Sequence, residues 1–448
     1  MNSVKNTPVS DPPQESLSTS AAFLTYELAS AAVFAAVFAP YALFRIVKTP
    51  ALRSGIGQRL SLRREIRREE AGSAPIWVQA VSLGEVKSVA PLIRRINACG
   101  VRPVFLTTTT ETGFRAAQQL LGTGMSVAYF PLDFSPIVKR VLSHVRPRAI
   151  VLFETEIWPN FIRAASSHGI PVAIVNGRIS EKSFRYYRLV PRIFRNAFSR
   201  ISFAGMQSDR DVERALALGA RPAAVKVCGN VKFDSSPPPP SPGEIEKMRL
   251  ELKLDKDASL IVAGSTHEGE ETALLRIYGQ ITARFPHVRL LLAPRHPERF
   301  EKVATLIRNG GLKVWRKSKS GGAGVQDSNA VILLDTVGEL ARVYALASVS
   351  FVGGSLARVG GHNIIEPASL GKPVVLGPFM HHFQDVKEAF LAEQAAICVG
   401  SERELLSAIS RLLENSDEAK KIGEAARRVV EANRGATERY FRALEEYF

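Results

Sequence analysis

Asp234-Ser-Ser-Pro-Pro-Pro-Pro-Ser-Pro-Gly243 divides this chain. Proline has no amide hydrogen and a fixed φ, so this stretch continues neither a strand nor a helix and reads as an extended linker. On its N-terminal side, short apolar runs at Ile76–Val81, Val104–Thr107, Val127–Phe130, Ala149–Phe153, Val172–Val175 and Ile201–Met206 alternate with helical patterns. On its C-terminal side the alternation resumes at Leu260–Ala263, Val288–Ala293, Val331–Leu334, Val349–Val352, Val374–Leu376 and Ala396–Val399. Strands that alternate with helices predict parallel, doubly wound α/β sheets. The expectation is two Rossmann-like domains facing a cleft, 49–234 and 244–448, joined by the linker 235–243. Sites in such sheets lie at the C-terminal ends of strands. The last helices, from Glu402 to Phe448, are expected to pack across both halves.

At 448 residues the chain is too long for one ordinary core, and 46% hydrophobic with 23% charged residues is a globular composition. The formal net charge of +16 favours anionic partners: nucleic acid, acidic lipid or a phosphorylated substrate. Cys99, Cys228 and Cys398 are scattered singly, which suggests neither a disulfide framework nor a zinc site.

Residues 1–20 are rich in Ser, Thr and Pro and read as a disordered tail. Residues 21–48 read as a membrane anchor helix. Its charge-free core, Leu28 to Phe44, has 17 residues, the short limit for a span. Arg45, Lys48, Arg53 and Arg59 follow it and place that side in the cytoplasm. A helix lying in the interface, or packed on the protein, is the alternative.

The segment Phe351-Val-Gly-Gly-Ser-Leu-Ala-Arg-Val-Gly-Gly-His-Asn-Ile-Ile-Glu-Pro367 carries the clearest chemistry. Glycine pairs let a backbone approach a ligand closely, and a following helix N-terminus offers N–H groups to a phosphate. Glu366 can hydrogen-bond a ribose diol. It is neither the dinucleotide fingerprint nor a P-loop. A tight loop with a capped helix is the plainer account.

Six motifs in order resemble one family: Val81-Ser-Leu-Gly-Glu-Val86, Glu154-Thr-Glu-Ile-Trp-Pro-Asn160, Gly229-Asn-Val-Lys-Phe-Asp234, Ser265-Thr-His-Glu-Gly-Glu-Glu271, Pro294-Arg-His-Pro-Glu-Arg-Phe300 and the glycine-rich segment. The chain resembles the 3-deoxy-D-manno-octulosonic acid (Kdo) transferases, from about Tyr41 to its C-terminus. The proline-rich insert and the long polar N-terminal tail depart from the pattern without touching a motif. The resemblance implies a GT-B fold and inverting transfer of Kdo from CMP-Kdo to a lipid A precursor in lipopolysaccharide biosynthesis. It implies no metal and no cofactor. It places the enzyme at the cytoplasmic face of the inner membrane.

Carried over residue by residue, the resemblance makes Glu85 the base that deprotonates the acceptor hydroxyl. By itself Ser82-Leu-Gly-Glu85 is also a capping box, and a helix N-terminus favours a charged carboxylate. Glu154 is assigned to the transition state; it and Glu156 point to opposite sides if the preceding strand continues. Lys232 is assigned to charge stabilisation, with a solvated lysine as the alternative. The nucleotide contacts fall on Pro294 and Arg295, on Val337, Gly338 and Glu339, and on Asn363, Ile364, Ile365 and Glu366. An Arg295–Glu298 salt bridge is the plainer reading of the arginine. Ser265 to Glu271 reads as a capping turn, Ser265 with Glu268, of secondary weight.

Between Arg178 and Arg200, seven basic residues with Phe184, Tyr186, Tyr187, Phe194 and Phe198 interleaved face the single acid Glu181. Such a stretch can stack on single-stranded nucleic acid or lie on an anionic bilayer. With an anchor upstream, anionic inner-membrane lipid is the expected partner, and no nucleic acid. Asp209-Arg-Asp211 and Asp255-Lys-Asp257 mimic a metal-binding D-x-D, but neither directly ends a strand beside a nucleotide loop. The alternatives are another GT-B nucleotide-sugar transferase of envelope biosynthesis, or a non-catalytic membrane-bound protein that binds anionic lipid.

Overall fold

The structure is a computed structural model that describes residues 17–33, 36, 52–60, 74–100, 102–121, 125–234, 236, 238–319 and 330–448. The chain forms two compact units, residues 1–235 with 434–448, and residues 236–433.

The first unit is built on seven parallel strands, β1 Ile76–Gln79, β2 Val104–Thr108, β3 Ser126–Tyr129, β4 Ala149–Phe153, β5 Val172–Gly177, β6 Phe203–Met206 and β7 Val225–Val227. Their order is β3-β2-β1-β4-β5-β6-β7. Because helices cover both faces, the strands read as unbroken apolar runs. Alternate side chains serve opposite layers: Trp77, Phe105, Ile150 and Ile174 on one face, Ile76, Val78, Leu106 and Val151 on the other. Trp77 meets Phe105 and Phe161 edge to face, with ring centroids 5.2 and 5.1 Å away. Burying a side chain of that size contributes about 2–3 kcal/mol. The chain reverses direction along the sheet between β1 and β4, so the loops after these two strands open a crevice at their C-terminal ends.

The second unit has strands β8 Ser259–Thr266, β9 Val288–Pro294, β10 Val314–Arg316, β11 Val331–Leu333, β12 Val349–Val352, β13 Val374–Leu376 and β14 Ile397–Cys398. These are also all parallel, in the order β10-β11-β9-β8-β12-β13-β14, and here the reversal lies between β8 and β12. Two edge strands, β7 and β10, are additions to the sequence expectation. Each is three residues long and polar at its centre (Lys226) or its end (Arg316), too short for a periodic signal.

The C-terminus differs from the expected division. The helix Ala436–Leu444 belongs with the first unit, where Tyr440 is fully buried and its hydroxyl donates to the Gly229 carbonyl at 2.8 Å. Asp234 accepts the amides of Gly435 and Thr437 at 2.7 and 2.6 Å, capping that helix from the motif before the linker. The linker is also shorter than expected. Ser241 and Glu244 form a capping box that starts the helix Pro242–Glu251, with proline at its first position.

At the N-terminus the helix begins at Leu17, inside the segment expected to be a disordered tail; residues 1–16 lie outside the described residues. The helix Leu17–Val33 packs against the first unit rather than standing free. Phe23 is buried under the Arg163 guanidinium, 4.6 Å from the ring centroid, and the Tyr26 hydroxyl donates to Asp133 at 3.2 Å. Among the described residues no helix is long and apolar enough to cross a membrane. Residues 34, 35 and 37–51 of the expected anchor and its flank lie outside the described residues.

Candidate functional site

In the first unit the reversal point gathers three carboxylates. After β1, Ser82 caps the helix Leu83–Ala98, its hydroxyl oxygen accepting the Glu85 amide. The Glu85 carboxylate accepts the Val81 amide at 2.7 Å and the Ser82 hydroxyl at 3.1 Å. After β4, the expected alternation of Glu154 and Glu156 fails. Glu154 adopts φ +60°, a left-handed conformation that is strained for a side chain of this size and ends the strand. The chain turns there, and the charges of both Glu154 and Glu156 act on Glu85. Glu156 is held by the Trp158 indole N–H at 2.9 Å.

This electrostatics corrects the expectation of a readily ionised Glu85. Burial first, then Glu154 and Glu156, push its carboxyl up to about 8, outweighing the amide bond at the helix end. Burial chiefly raises Glu156 too, to about 7. Carboxyls poised in this range are suited to exchange protons near neutral pH.

Lys232 stands on a different support, the short turn Val231–Asp234 that follows β7. Asn230 accepts the Lys232 amide at 3.0 Å, and Asn176 accepts the Val231 amide at 3.1 Å.

In the second unit, Pro294 ends β9 and Arg295 follows it, exposed, with its amide donating to the Thr266 carbonyl at 3.1 Å. The acid Glu298 pairs with His296 at 3.6 Å. Val337 is 79% exposed beside Gly338, whose φ of +92° permits the turn, and Glu339 accepts the Thr336 hydroxyl. Asn363 Oδ1 accepts the Ile365 amide at 3.1 Å, and Asn363 Nδ2 donates to Glu366 at 3.2 Å. Ile364 and Ile365 are wholly buried, so only their backbone is available to a ligand. Burial raises the Glu366 carboxyl, and Arg295 attracts it. The fold therefore brings Arg295 and Glu366 into one electrostatic neighbourhood.

The glycine-rich loop does not present a phosphate nest. Glu270, 2% exposed at the start of the helix Glu270–Arg284, occupies it with its own carboxylate. It accepts the amides of His267, Gly354, Ser355, Leu356 and Ala357 at 2.8–3.1 Å. Consecutive amides of this kind form an anion-binding concavity, here filled from within the protein. The expected helix N-terminus is also modest: the helix Ile365–Ser369 has five residues, and its first amide, on Ile365, is already taken by Asn363.

Residues 54–235 match the family described as 3-Deoxy-D-manno-octulosonic-acid transferase (kdotransferase). A 3-deoxy-D-manno-octulosonic acid transferase of Bordetella pertussis is 34% identical over 390 residues, 84% of this chain and 88% of that protein. The chain belongs to the 3-deoxy-D-manno-octulosonic acid transferase family. The Haemophilus influenzae transferase is 31% identical over 374 residues, 83% of this chain and 87% of its own length. A glycosyltransferase structure from Rickettsia africae shares the fold at 14% identity, with a TM-score of 0.54 over 83% of this chain and 98% of that one. The protein is thus a glycosyltransferase of two parallel-sheet α/β domains, similar to GT-B enzymes.

Against this background, the transferase's Glu156, Glu270, His267 and His362 were not singled out as site residues by their motifs. Glu156 hid behind the strand alternation. Glu270 hid because Ser265 and Glu268 looked like the capping pair, whereas Glu268 pairs with Lys302 at 2.7 Å. The D-x-D mimic Asp211 is structural: it is buried and accepts the Ile179 amide at 2.8 Å and the Ser208 hydroxyl at 2.6 Å.

The aromatics of the basic stretch split in two. Phe194 and Phe198 are buried and Tyr187 packs on both, so these rings are not a stacking platform. Tyr186 and Leu189 remain 58% and 77% exposed.

Proposed function

We propose that this transferase moves Kdo from CMP-Kdo onto a hydroxyl of a lipid A precursor, with inversion at the anomeric carbon. The observation that carries the reading is the carboxylate trio at the reversal point of the first sheet. There Glu85 is held at its helix end with a carboxyl pushed up to about 8. In the reaction, Glu85 takes the proton of the acceptor hydroxyl while that oxygen bonds to the anomeric carbon. The bond from that carbon to the CMP phosphate breaks, and its electron pair leaves with the phosphate. Arg295 and Lys232 are the proposed partners of that growing charge, and Glu154 orients the acceptor. Val337–Glu339 reads the base through its backbone, and Glu366 with Asn363 takes the ribose. The GT-B arrangement, with donor on the second unit and acceptor on the first, is part of the proposal.

The acceptor is a lipid, and the first unit offers a face suited to it. Leu24 and Leu28 project from the N-terminal helix, 62% and 64% exposed and one turn apart. That helix packs on the helix Pro191–Ser199, which carries exposed Arg192 and follows exposed Tyr186 and Leu189, with Arg185 and Arg188, along the chain. Apolar side chains beside cations suit the anionic surface of the inner membrane, approached from the cytoplasmic side.

The test is transfer itself. Purified protein incubated with a tetraacylated lipid A precursor and CMP-Kdo made in situ should give products heavier by whole Kdo residues. Inhibition by UDP but not CMP would instead identify a different nucleotide-sugar transferase.

A further inference from the structure

The reversal point of the second sheet holds a pair of imidazoles. His267 follows β8 and His362 lies in the loop after β12, and their Nε2 atoms are 2.8 Å apart with rings within 4° of one plane. At that distance one nitrogen carries hydrogen and the other a lone pair. Two N–H groups cannot face each other there. The pair therefore holds zero or one positive charge and never two.

On one side the pair faces two arginine cations and two further imidazoles. Arg295, His296 and Arg299 face it from the segment after β9, and His382 from the turn His381–Phe383. Glu271 is the acid that acts on His267 from the helix Glu270–Arg284, and Glu270 is spent on the loop amides. Burial first, then His267 and Arg295 with His382 and His296, push His362 down to about 3, and burial likewise lowers His267. The pair is neutral at pH 7 and sits in a positive field with no proton of its own to add.

We propose that the His267–His362 pair contacts the anionic end of the sugar nucleotide and takes up one proton when the donor binds. This rests on the reading that the second unit holds the donor. Since Glu270 already fills the loop amides, the phosphate needs other donors, and the imidazoles beside Arg295 supply them. A unit negative charge ~4 Å away moves a titration by about three pH units at an effective dielectric of ~20. When the anomeric bond breaks, its electron pair goes to a phosphate oxygen and the acceptor's proton goes to Glu85. The extra proton on the pair then hydrogen-bonds the oxygen that gained the charge.

Titration calorimetry of CMP into the full chain at pH 7.5, in two buffers of different ionisation enthalpy, counts protons. Free CMP is largely the dianion there, its second pKa being about 6. The wild type should take up about half a proton or more per nucleotide. His362→Gln and His267→Gln should bind CMP about tenfold more weakly, with uptake near zero. Binding without uptake in the wild type, or equal uptake in variants that melt like it, overturns the pair. No CMP binding by the wild type overturns the donor-site reading instead. Should both variants fail to fold, imidazole 15N spectra of the wild type with and without CMP read the same proton, and unchanged spectra reject it.

Discussion

The Glu270 carboxylate accepts the Gly354 amide at 2.8 Å, tying the first turn of one helix to the loop that follows β12. With four further amides on the same carboxylate, this residue supplies the anion that an empty nest would lack. Glutamine in its place can accept on one oxygen only and turns an NH2 toward other donors. Glu270→Gln should therefore destabilise the second unit by about 2–4 kcal/mol, read as a lower urea midpoint. An unchanged midpoint would deny the carboxylate this role.

Glu85→Gln keeps an oxygen for the Val81 amide but cannot take a proton. Transfer should fall by about 10²–10⁴-fold while CMP still raises the melting temperature. Activity close to wild type would remove Glu85 from the chemistry.

The pH profile follows from the same carboxyl. Raised to about 8, Glu85 is mostly protonated below that pH, and the base form grows as pH rises. Turnover should climb about tenfold per pH unit below 8 and level off above it. Stability has the opposite sign: the contribution of a raised carboxyl is full below its unfolded value and is lost as pH rises through about 8. A rate profile flat from pH 6 to 9 would contradict the assignment.

Glu156 contributes to that elevation through its charge. Glu156→Gln should shift the rising limb of the profile to lower pH, with the limb kept in shape. A change in maximal rate alone, without the shift, would point to an acceptor contact instead.

Asn363 accepts the Ile365 amide and donates to Glu366, which it thereby orients. Asn363→Ala should raise the KM for the donor about tenfold and leave the KM for the lipid unchanged. Equal effects on both would show that the loop serves more than the nucleotide.

Leu28→Asp and Leu189→Asp place charge on exposed positions and should leave the melting temperature within a degree or two. Both should weaken sedimentation with anionic vesicles severalfold, and salt should weaken it further. Undiminished sedimentation would move the lipid-facing surface elsewhere.

Much of the architecture was legible because a parallel sheet covered on both faces is written as unbroken apolar runs. Twelve strands carry such a run, and the other two, β7 and β10, are three-residue edges interrupted by Lys226 at the centre or Arg316 at the end. The motif residues share a position after strands: Glu85 and Glu154 follow β1 and β4 at a reversal point, whereas Lys232, Arg295 and Val337 follow β7, β9 and β11. What the runs could not show is the effect of proximity. Glu85, Glu154 and Glu156 are scattered over more than seventy positions, and the β1–β4 pairing with the turn at Glu154 lets the charges of Glu154 and Glu156 oppose the ionisation of Glu85.

The sequence by itself determined two α/β units, a break between them and the chemical groups that flank each strand, because hydrophobic period and proline act locally. Tertiary structure alone decided where the C-terminal helix returns, that Glu270 rather than a phosphate fills the loop amides, and that His267 and His362 meet Nε2 to Nε2. These depend on distances between residues far apart in the chain. Burial and Coulomb interaction act through space, so only the folded chain sets them.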